Sequence, residues 1–295
     1  MGVSQQLTCH VHTPTKLMRK MKIVTDSSSD VLSLDHVDFS GTPLKITADG
    51  KNYVDDEALD VDAMVDFLYQ YKGKSLSACP STGEWLDAFE GADDVFCFTI
   101  TRNLSGSYNS ALSAKQIYES ENEGKRVYIF DTLSTGPEVQ MAIEKTQECM
   151  LAGMTYEQIC DTVSKYIKRT GLIFMLKSVK TLANNGRVSP IVAKLVGIAG
   201  IRIIGKASDE GTLETLHKCK GDEKSLKTIM ESLISEGYVG GKISIGHCQN
   251  LEIAEKLRDM ILTAYKNAKI EIHKLRGLCS FYAEKGGVLI GFEKN

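Results

Sequence analysis

The stretch from Val95 to Tyr118 restricts the fold more than any other. An unbroken apolar run, Val95 to Ile100, leads into Thr-Arg-Asn-Leu-Ser-Gly-Ser-Tyr and then into apolar residues at helical spacing, Ala111, Leu112, Ala114 and Ile117. A short apolar run without alternation suits a parallel strand covered on both faces, and the tight polar turn after it delivers the chain into a helix. Ser105, Gly106 and Ser107 then stand at a helix start, where unpaired N–H groups and the helix dipole favour an anion. Read locally, Ser105 also serves as an N-cap and nothing more.

The same arrangement recurs along the first half. Met21 to Thr25 reads as a first strand ending in Asp26-Ser27-Ser28-Ser29-Asp30, and Arg126 to Phe130 as another, ending at Asp131 and the polar run Thr132 to Gly136. Strands alternating with helices make a mainly parallel sheet, and ligands of such sheets sit beyond the strands' carboxyl ends. The loops at 26–29, 103–107 and 131–135 are therefore candidates to converge, although each is also an ordinary turn. Between them, Pro43 to Ile46 reads as a short strand. Asp60 caps a helix that Gly73 ends, and Ser77 to Thr82 is a small-residue loop whose Ser81 or Thr82 caps the next helix.

Further on, the pattern predicts a helix over 137–152, a capping box at Thr155 and Gln158, and a strand from Leu172 to Leu176. Ser189 then caps a helix, with Pro190 at its first position. Strands follow near 201–205 and 212–219, then a helix capped by Asp222, a strand Lys242 to His247, a helix Leu251 to Lys266, a strand Lys269 to His273 and two late strands. The fold class is α/β with two domains: an N-terminal mainly parallel sheet flanked by helices over 21–170, and a C-terminal mixed α/β domain over 171–295. Residues 1–20 are polar, show neither period, and read as a disordered or artificial extension.

Composition excludes several functions. A net charge of -3 lacks the basic face on which general nucleic-acid affinity depends. No apolar run approaches the ~20 residues of a membrane span, so no stable membrane insertion is expected and a cytoplasmic location is the default. The 8 cysteines include no Cys-x-x-Cys pair, and only His10 and His12 approach ligand spacing, so no metal and no cofactor is expected. No two glycines are separated by a single residue, which removes the dinucleotide fingerprint. Gly73-Lys74-Ser75 has Leu68 where a P-loop needs glycine. No serine stands in a Gly-x-Ser-x-Gly elbow, yet a hydrolase using Ser105, His247 and Asp131 stays open, because triads are defined by geometry.

Five motifs in order, Ile-Val-Thr-Asp-Ser-Ser at 23–28, Ser-Ala-Cys-Pro-Ser at 77–81, Asn-Leu-Ser-Gly-Ser-Tyr at 103–108, Asp131-Thr132 and Asn-Gly-Arg-Val-Ser at 185–189, resemble those of the DegV family from Lys22 onward. The resemblance implies a two-domain protein, not itself an enzyme, that binds one long-chain fatty acid between its domains. It also implies a partner, a separate fatty acid kinase that phosphorylates the bound carboxylate. The family's Thr-Ser-x-Pro-Ser loop falls on Ser77, Ala78, Pro80 and Ser81, and its Leu-Ser-Gly-Thr turn on Leu104, Ser105, Gly106 and Ser107. By that resemblance Ser77, Ser105 and Gly106 hold the carboxylate, Arg187 lies close to the same network, and Asp26, Ser27, Ala78, Ser81 and Asn103 lie nearby. Two positions depart from the family: Ala78 replaces a hydroxyl, and Tyr282 stands where the family has a head-group histidine. A hydrolase or a scaffold for another small ligand remains the alternative.

For the kinase, Arg202, Lys206, Lys218 and Lys220 form a candidate docking face in an acidic chain, since a local positive patch speeds encounter with a negative partner. The same lysines also suit a solvated edge strand.

Overall fold

In the computed structural model, which describes residues 19–194 and 200–295, the chain opens with β1 (Met21–Asp26), a 3-10 turn at Ser27–Ser29 and β2 (Asp38–Thr42). β3 (Lys45–Ala48), β4 (Lys51–Val54), α1 (Val61–Gln70) and β5 (Ser75–Ala78) follow, then α2 (Thr82–Phe89), β6 (Asp94–Thr99), α3 (Ser107–Glu121) and β7 (Arg126–Asp131). β2, β1, β6 and β7 pair in that order as an all-parallel sheet. Every residue of β6 is buried because both faces are covered. Val95 and Cys97 pack with Trp85, Phe89 and Ala111 of α2 and α3. Phe96 and Phe98 pack on the opposite face, among residues of the two helices that follow β7.

Those helices are α4 (Pro137–Leu151) and α5 (Tyr156–Ile167), after which come β8 (Thr170–Leu176), α6 (Lys180–Asn184), α7 (Pro190–Ala193), β9 (Ile201–Ala207) and β10 (Leu213–Lys220). The remainder is α8 (Asp222–Ser235), β11 (Lys242–His247), α9 (Leu251–Ala264), β12 (Lys269–Lys274), α10 (Gly277–Ala283) and β13 (Val288–Glu293). The second sheet runs β10-β9-β8-β13-β11-β12, parallel only between β11 and β12. Side chains alternate across a strand, so β8 divides its apolar residues between two compartments. Ile173 and Met175 join Ile229, Leu233 and Leu257 beneath α8 and α9. Leu172, Phe174 and Leu176 face the other way, toward Ile46 of β3, Met64 of α1 and Cys279 of α10. The antiparallel sheet β4-β3-β5, built from the first half of the chain, thus helps cover the second sheet.

Side-chain caps account for the starts of α1, α2, α5 and α7. Ser81 with Glu84 and Thr155 with Gln158 make reciprocal capping boxes, Asp60 accepts the Ala63 N–H at 3.0 Å, and Ser189 caps α7 ahead of Pro190. Each such cap is worth about 1 kcal/mol.

Several expectations need correction. The late segment read as a strand is α10, a short helix buried on nearly every side, and without a polar face it shows no helical period. β5 occupies part of the stretch read as a loop, and β2 is an additional strand. Gly221, not Asp222, is the N-cap of α8, and the Asp222 carboxylate pairs with Arg202. α1 ends at Gln70, three residues before Gly73. Arg19 and Lys20 belong to the folded chain: the Arg19 guanidinium holds Asp94 at 2.7 Å and the Lys20 N–H donates to Asp93 at 2.9 Å. The rest of the 1–20 extension lies outside the described residues.

Candidate functional site

At the carboxyl edge of the parallel sheet the three polar loops converge and satisfy one another. The Asp26 carboxylate, wholly buried, accepts the N–H groups of Ser28 (3.2 Å) and Ile100 (3.1 Å) and the hydroxyls of Ser28 and Ser107, the latter at 2.6 Å. Burial nonetheless pushes this carboxyl above the ordinary aspartate range, against the pull of those donors. The Gly136 N–H and the Thr135 hydroxyl donate to the Ser28 carbonyl at 2.6 and 3.3 Å, and the Thr101 N–H donates to the Ser134 carbonyl at 3.0 Å. Asp26 therefore latches the start of α3 to the ends of β1 and β6. Ser27 does similar work, its hydroxyl accepting the Leu44 N–H at 3.0 Å, and neither residue lines the cavity beyond.

That cavity has a volume of about 300 Å³ and lies between the parallel sheet's carboxyl edge and the buried face of β8 and β13 that carries Leu172, Phe174, Leu176 and Leu289. Leu172, Phe174, Leu176 and Leu289 form one wall, Leu44, Ile100 and Leu104 another, and α10 closes it with Leu278, Cys279, Tyr282 and Ala283. The volume falls at the lower end of the range for small-molecule sites, and the lining has the expected character, mainly apolar with a few polar groups.

α10 is fixed at its start by carboxylates. Asp55 accepts the N–H groups of Gly277 and Leu278, both at 2.7 Å, and a Cβ at position 277 would lie 2.5 Å from that carboxylate, so the approach requires glycine. The Arg276 N–H donates to Asp30 at 2.8 Å. Burial, reinforced by the neighbouring Asp55, pushes the Asp30 carboxyl up to about 8.

The polar lining gathers around β5. The Ser77 hydroxyl and the Tyr282 phenol are 2.7 Å apart. Asn185 donates from its side chain to the Ser75 carbonyl at 3.2 Å, and its own carbonyl accepts Arg187 Nη1 at 2.6 Å. Cys79, just past β5, abuts the α3 N-cap Gly106, where an added Cβ would meet its sulfur at 3.3 Å. Ser105 precedes that cap, and its hydroxyl accepts the Ser107 N–H at 3.3 Å.

Ser77, Ala78, Ser105, Gly106, Arg187 and Tyr282 thus all line one cavity, although the chain separates the first and last by 205 residues. Ser81 and Asn103 do not line it. Ser81 is spent on its capping box, and Asn103 donates to the Glu210 carbonyl. Thr135, Cys79 and Cys279 line the cavity without having been singled out as site residues. Thr135 carried a signal in its place in the third polar loop and Cys79 in the Ser-Ala-Cys-Pro-Ser motif, while Cys279 carried none.

The hydrolase constellation is not assembled. His247 accepts the Asn250 N–H at 3.2 Å and Asp131 pairs with Arg102 at 2.7 Å, and neither residue lines the cavity with Ser105. Of the basic face at 202–220, Arg202 pairs with Asp222 and Lys206 with Glu236, both at 2.9 Å, while Lys218 and Lys220 are exposed on the edge strand β10.

A family model described as "Uncharacterised protein, DegV family" matches residues 20–295. The chain belongs to the DegV family. A DegV domain-containing protein of Streptococcus pyogenes serotype M1 is 40% identical over 276 residues, covering 92% of this chain and 99% of its own. Among solved structures, a DegV family protein from Eubacterium eligens loaded with heptadecanoic acid is 40% identical with a TM-score of 0.90, over 93% of this chain and 100% of that one. The Streptococcus pneumoniae Fatty Acid Kinase (Fak) B3 protein loaded with linoleic acid is 38% identical with a TM-score of 0.91, over 94% and 100%. Both of those DegV-like structures hold a long-chain fatty acid.

Proposed function

We propose that this DegV protein binds one long-chain fatty acid in the cavity, with the carboxylate at Arg187, Ser77, Ser105, Gly106 and Tyr282. It presents that carboxylate to a separate fatty acid kinase and performs no turnover itself. Charge balance carries the reading. Arg187 is the one charged residue among the described residues lining the cavity, and among the described residues no carboxylate pairs with it. A guanidinium with free donors at the edge of an apolar cavity calls for a ligand that is apolar along its length and negative at one end.

The energetics agree. An acyl chain of about 15 methylenes offers on the order of 12 kcal/mol of gross burial at ~0.8 kcal/mol each, before the cost of ordering chain and protein. The tail supplies affinity. A desolvated carboxylate costs several kcal/mol unless paired, which fixes the head where donors exist. Tyr282 can donate one hydrogen bond but carries no positive charge at neutral pH, so Arg187 bears the balance. The fatty acids held by the similar Eubacterium eligens and Streptococcus pneumoniae proteins support the ligand class, and the latter's name supports the kinase.

The test is a reconstituted assay with the cognate fatty acid kinase, ATP and fatty-acid-loaded protein, trapping acyl phosphate with hydroxylamine. Hydroxamate that forms only when kinase and loaded protein are both present supports the proposal. Hydroxamate formed without this protein, or none with both, contradicts it.

A further inference from the structure

The cavity has two ends, and the register of the second sheet fixes where they lie. Leu172 and Leu176 both line it, four residues apart on one face of β8 and so separated by about 13 Å. At the Leu176 end the chain turns into α6, and Leu182 and Arg187 line the cavity there. β13 begins at the same level, with Val288 paired to Met175, soon after α10 has brought in Tyr282. This is the end proposed for the carboxylate. At the other end Ile173 pairs with Lys206. One residue beyond them come Leu172 and Ala207, and Ala207 pairs with Leu213. Leu172 and Leu213 therefore share a row across β8, β9 and β10, and both line the cavity.

Leu213 follows the tip of the β9–β10 hairpin, and that tip is seated on the loops after β6 and β7. The Asn103 side chain donates to the Glu210 carbonyl. Gly211 is pressed against Thr101 and Leu133. A Cβ there would lie 2.2 Å from the Thr101 hydroxyl oxygen and 3.0 Å from the Leu133 Cα, and the φ of +74° also calls for glycine. Within the tip the Ser208 N–H donates to the Thr212 carbonyl at 2.9 Å and the Gly211 N–H to the Ser208 carbonyl at 2.8 Å. A tight turn held at both Glu210 and Gly211 fixes the position of Leu213, the first residue of β10.

We propose that Leu213 is the stop for the acyl tail and sets the longest chain the protein accepts, with the seated hairpin tip holding it in place. The proposal rests on the fatty-acid reading. An extended long-chain fatty acid is longer than the distance between the two rows, so with its carboxylate at Arg187 its last carbons reach Leu172 and Leu213. Leu172 is buried in a strand paired on both sides, whereas Leu213 is half-buried on the edge strand β10. The size of the side chain at 213 can therefore change the length of the cavity without repacking the sheet. Asn103, which does not line the cavity, acts on this end as a positioning residue through the hairpin.

Titration of delipidated protein with saturated fatty acids of sixteen, eighteen and twenty carbons tests this in wild type, Leu213→Ala, Leu213→Phe and Asn103→Ala. Room for two more buried methylenes corresponds to about tenfold in affinity. Leu213→Ala should raise the affinity for the twenty-carbon acid relative to the sixteen-carbon acid by about that factor over wild type, and Leu213→Phe should lower the same ratio. Asn103→Ala, which frees the tip, should move the ratio in the direction of Leu213→Ala. Leu213 variants that change the affinity for all three acids by one common factor overturn the stop while leaving the fatty-acid reading standing. An Asn103→Ala protein with the wild-type ratio overturns the hold of the tip on Leu213. Wild type that binds none of the three acids removes the fatty-acid reading itself.

Discussion

The Ser77 hydroxyl and the Tyr282 phenol meet at 2.7 Å, joining β5 of the small antiparallel sheet to α10 at the edge of the cavity. The contact ties together two segments that otherwise approach from opposite ends of the chain. It also sets the direction of both hydroxyls before any ligand arrives. A head group arriving there meets oriented donors and does not have to order them.

Tyr282→Phe removes one partner of that pair and leaves Ser77 free to turn. Fatty-acid affinity should fall by about 1 to 2 kcal/mol, while the melting temperature of the empty protein changes little. Titration of Tyr282→Phe, Ser77→Ala and the double variant checks this. The double variant should lose less than the sum of the single losses, because the two groups act as one unit.

Arg187→Gln keeps a hydrogen-bond donor and removes the charge. Wild type should prefer a long-chain fatty acid over the fatty alcohol of the same length by about 1.5 to 3 kcal/mol, and the variant should lose most of that preference. Competition between acid and alcohol reads it directly. An undiminished preference would locate the charge recognition away from Arg187.

Asp30 gives a pH signature. Its carboxyl is pushed up to about 8 in the fold, against roughly 3.9 in an unfolded chain, so the folded state favours the protonated form. Its contribution to stability is complete below about pH 4 and is lost as pH rises through 8. Asp30→Asn keeps an oxygen to accept the Arg276 N–H and carries no charge. Relative to wild type, its melting temperature should rise by several degrees between pH 6 and pH 9. Parallel pH curves for the two proteins would show that Asp30 does not titrate as its burial requires.

Of the basic face at 202–220, Arg202 and Lys206 are paired, and among the described residues Lys218 and Lys220 are not, so any pull on a negatively charged partner surface comes from those two. Reversing both to Glu should slow acyl-phosphate formation several-fold at low salt, with the difference shrinking as salt is added, and bound fatty acid should be unchanged. An identical rate at every salt concentration would remove this face as the docking site.

Much of this was legible because strong local signals were not overridden. The unbroken run at Val95, the cap at Ser81 or Thr82, the capping box at Thr155 and the Ser189-Pro190 start each describe a local event whose chemistry stands in a few adjacent residues. The wall of the cavity was not legible. Leu172, Phe174 and Leu176 face it while Ile173 and Met175 face the helices, and two apolar faces give a strand no alternation from which to tell them apart. α10 was misread for a related reason, since all its residues but Tyr282 are buried and leave it no polar face. Resemblance brought Ser77, Ser105, Arg187 and Tyr282 forward as a group. Their meeting around β5 depends on Asn185 holding the Ser75 carbonyl and on Asp55 holding α10, contacts between residues far apart in the chain.

The most direct test of the account is denaturing extraction of the freshly purified protein, followed by quantitative mass spectrometry of what is released. An apolar cavity edged by a guanidinium that no carboxylate pairs with among the described residues should not persist empty in a cell that contains fatty acids. The account predicts about one equivalent of long-chain fatty acid per chain, reduced in Arg187→Gln. Recovery of a different compound class in stoichiometric amount, or an empty protein that refuses added fatty acid, would contradict it.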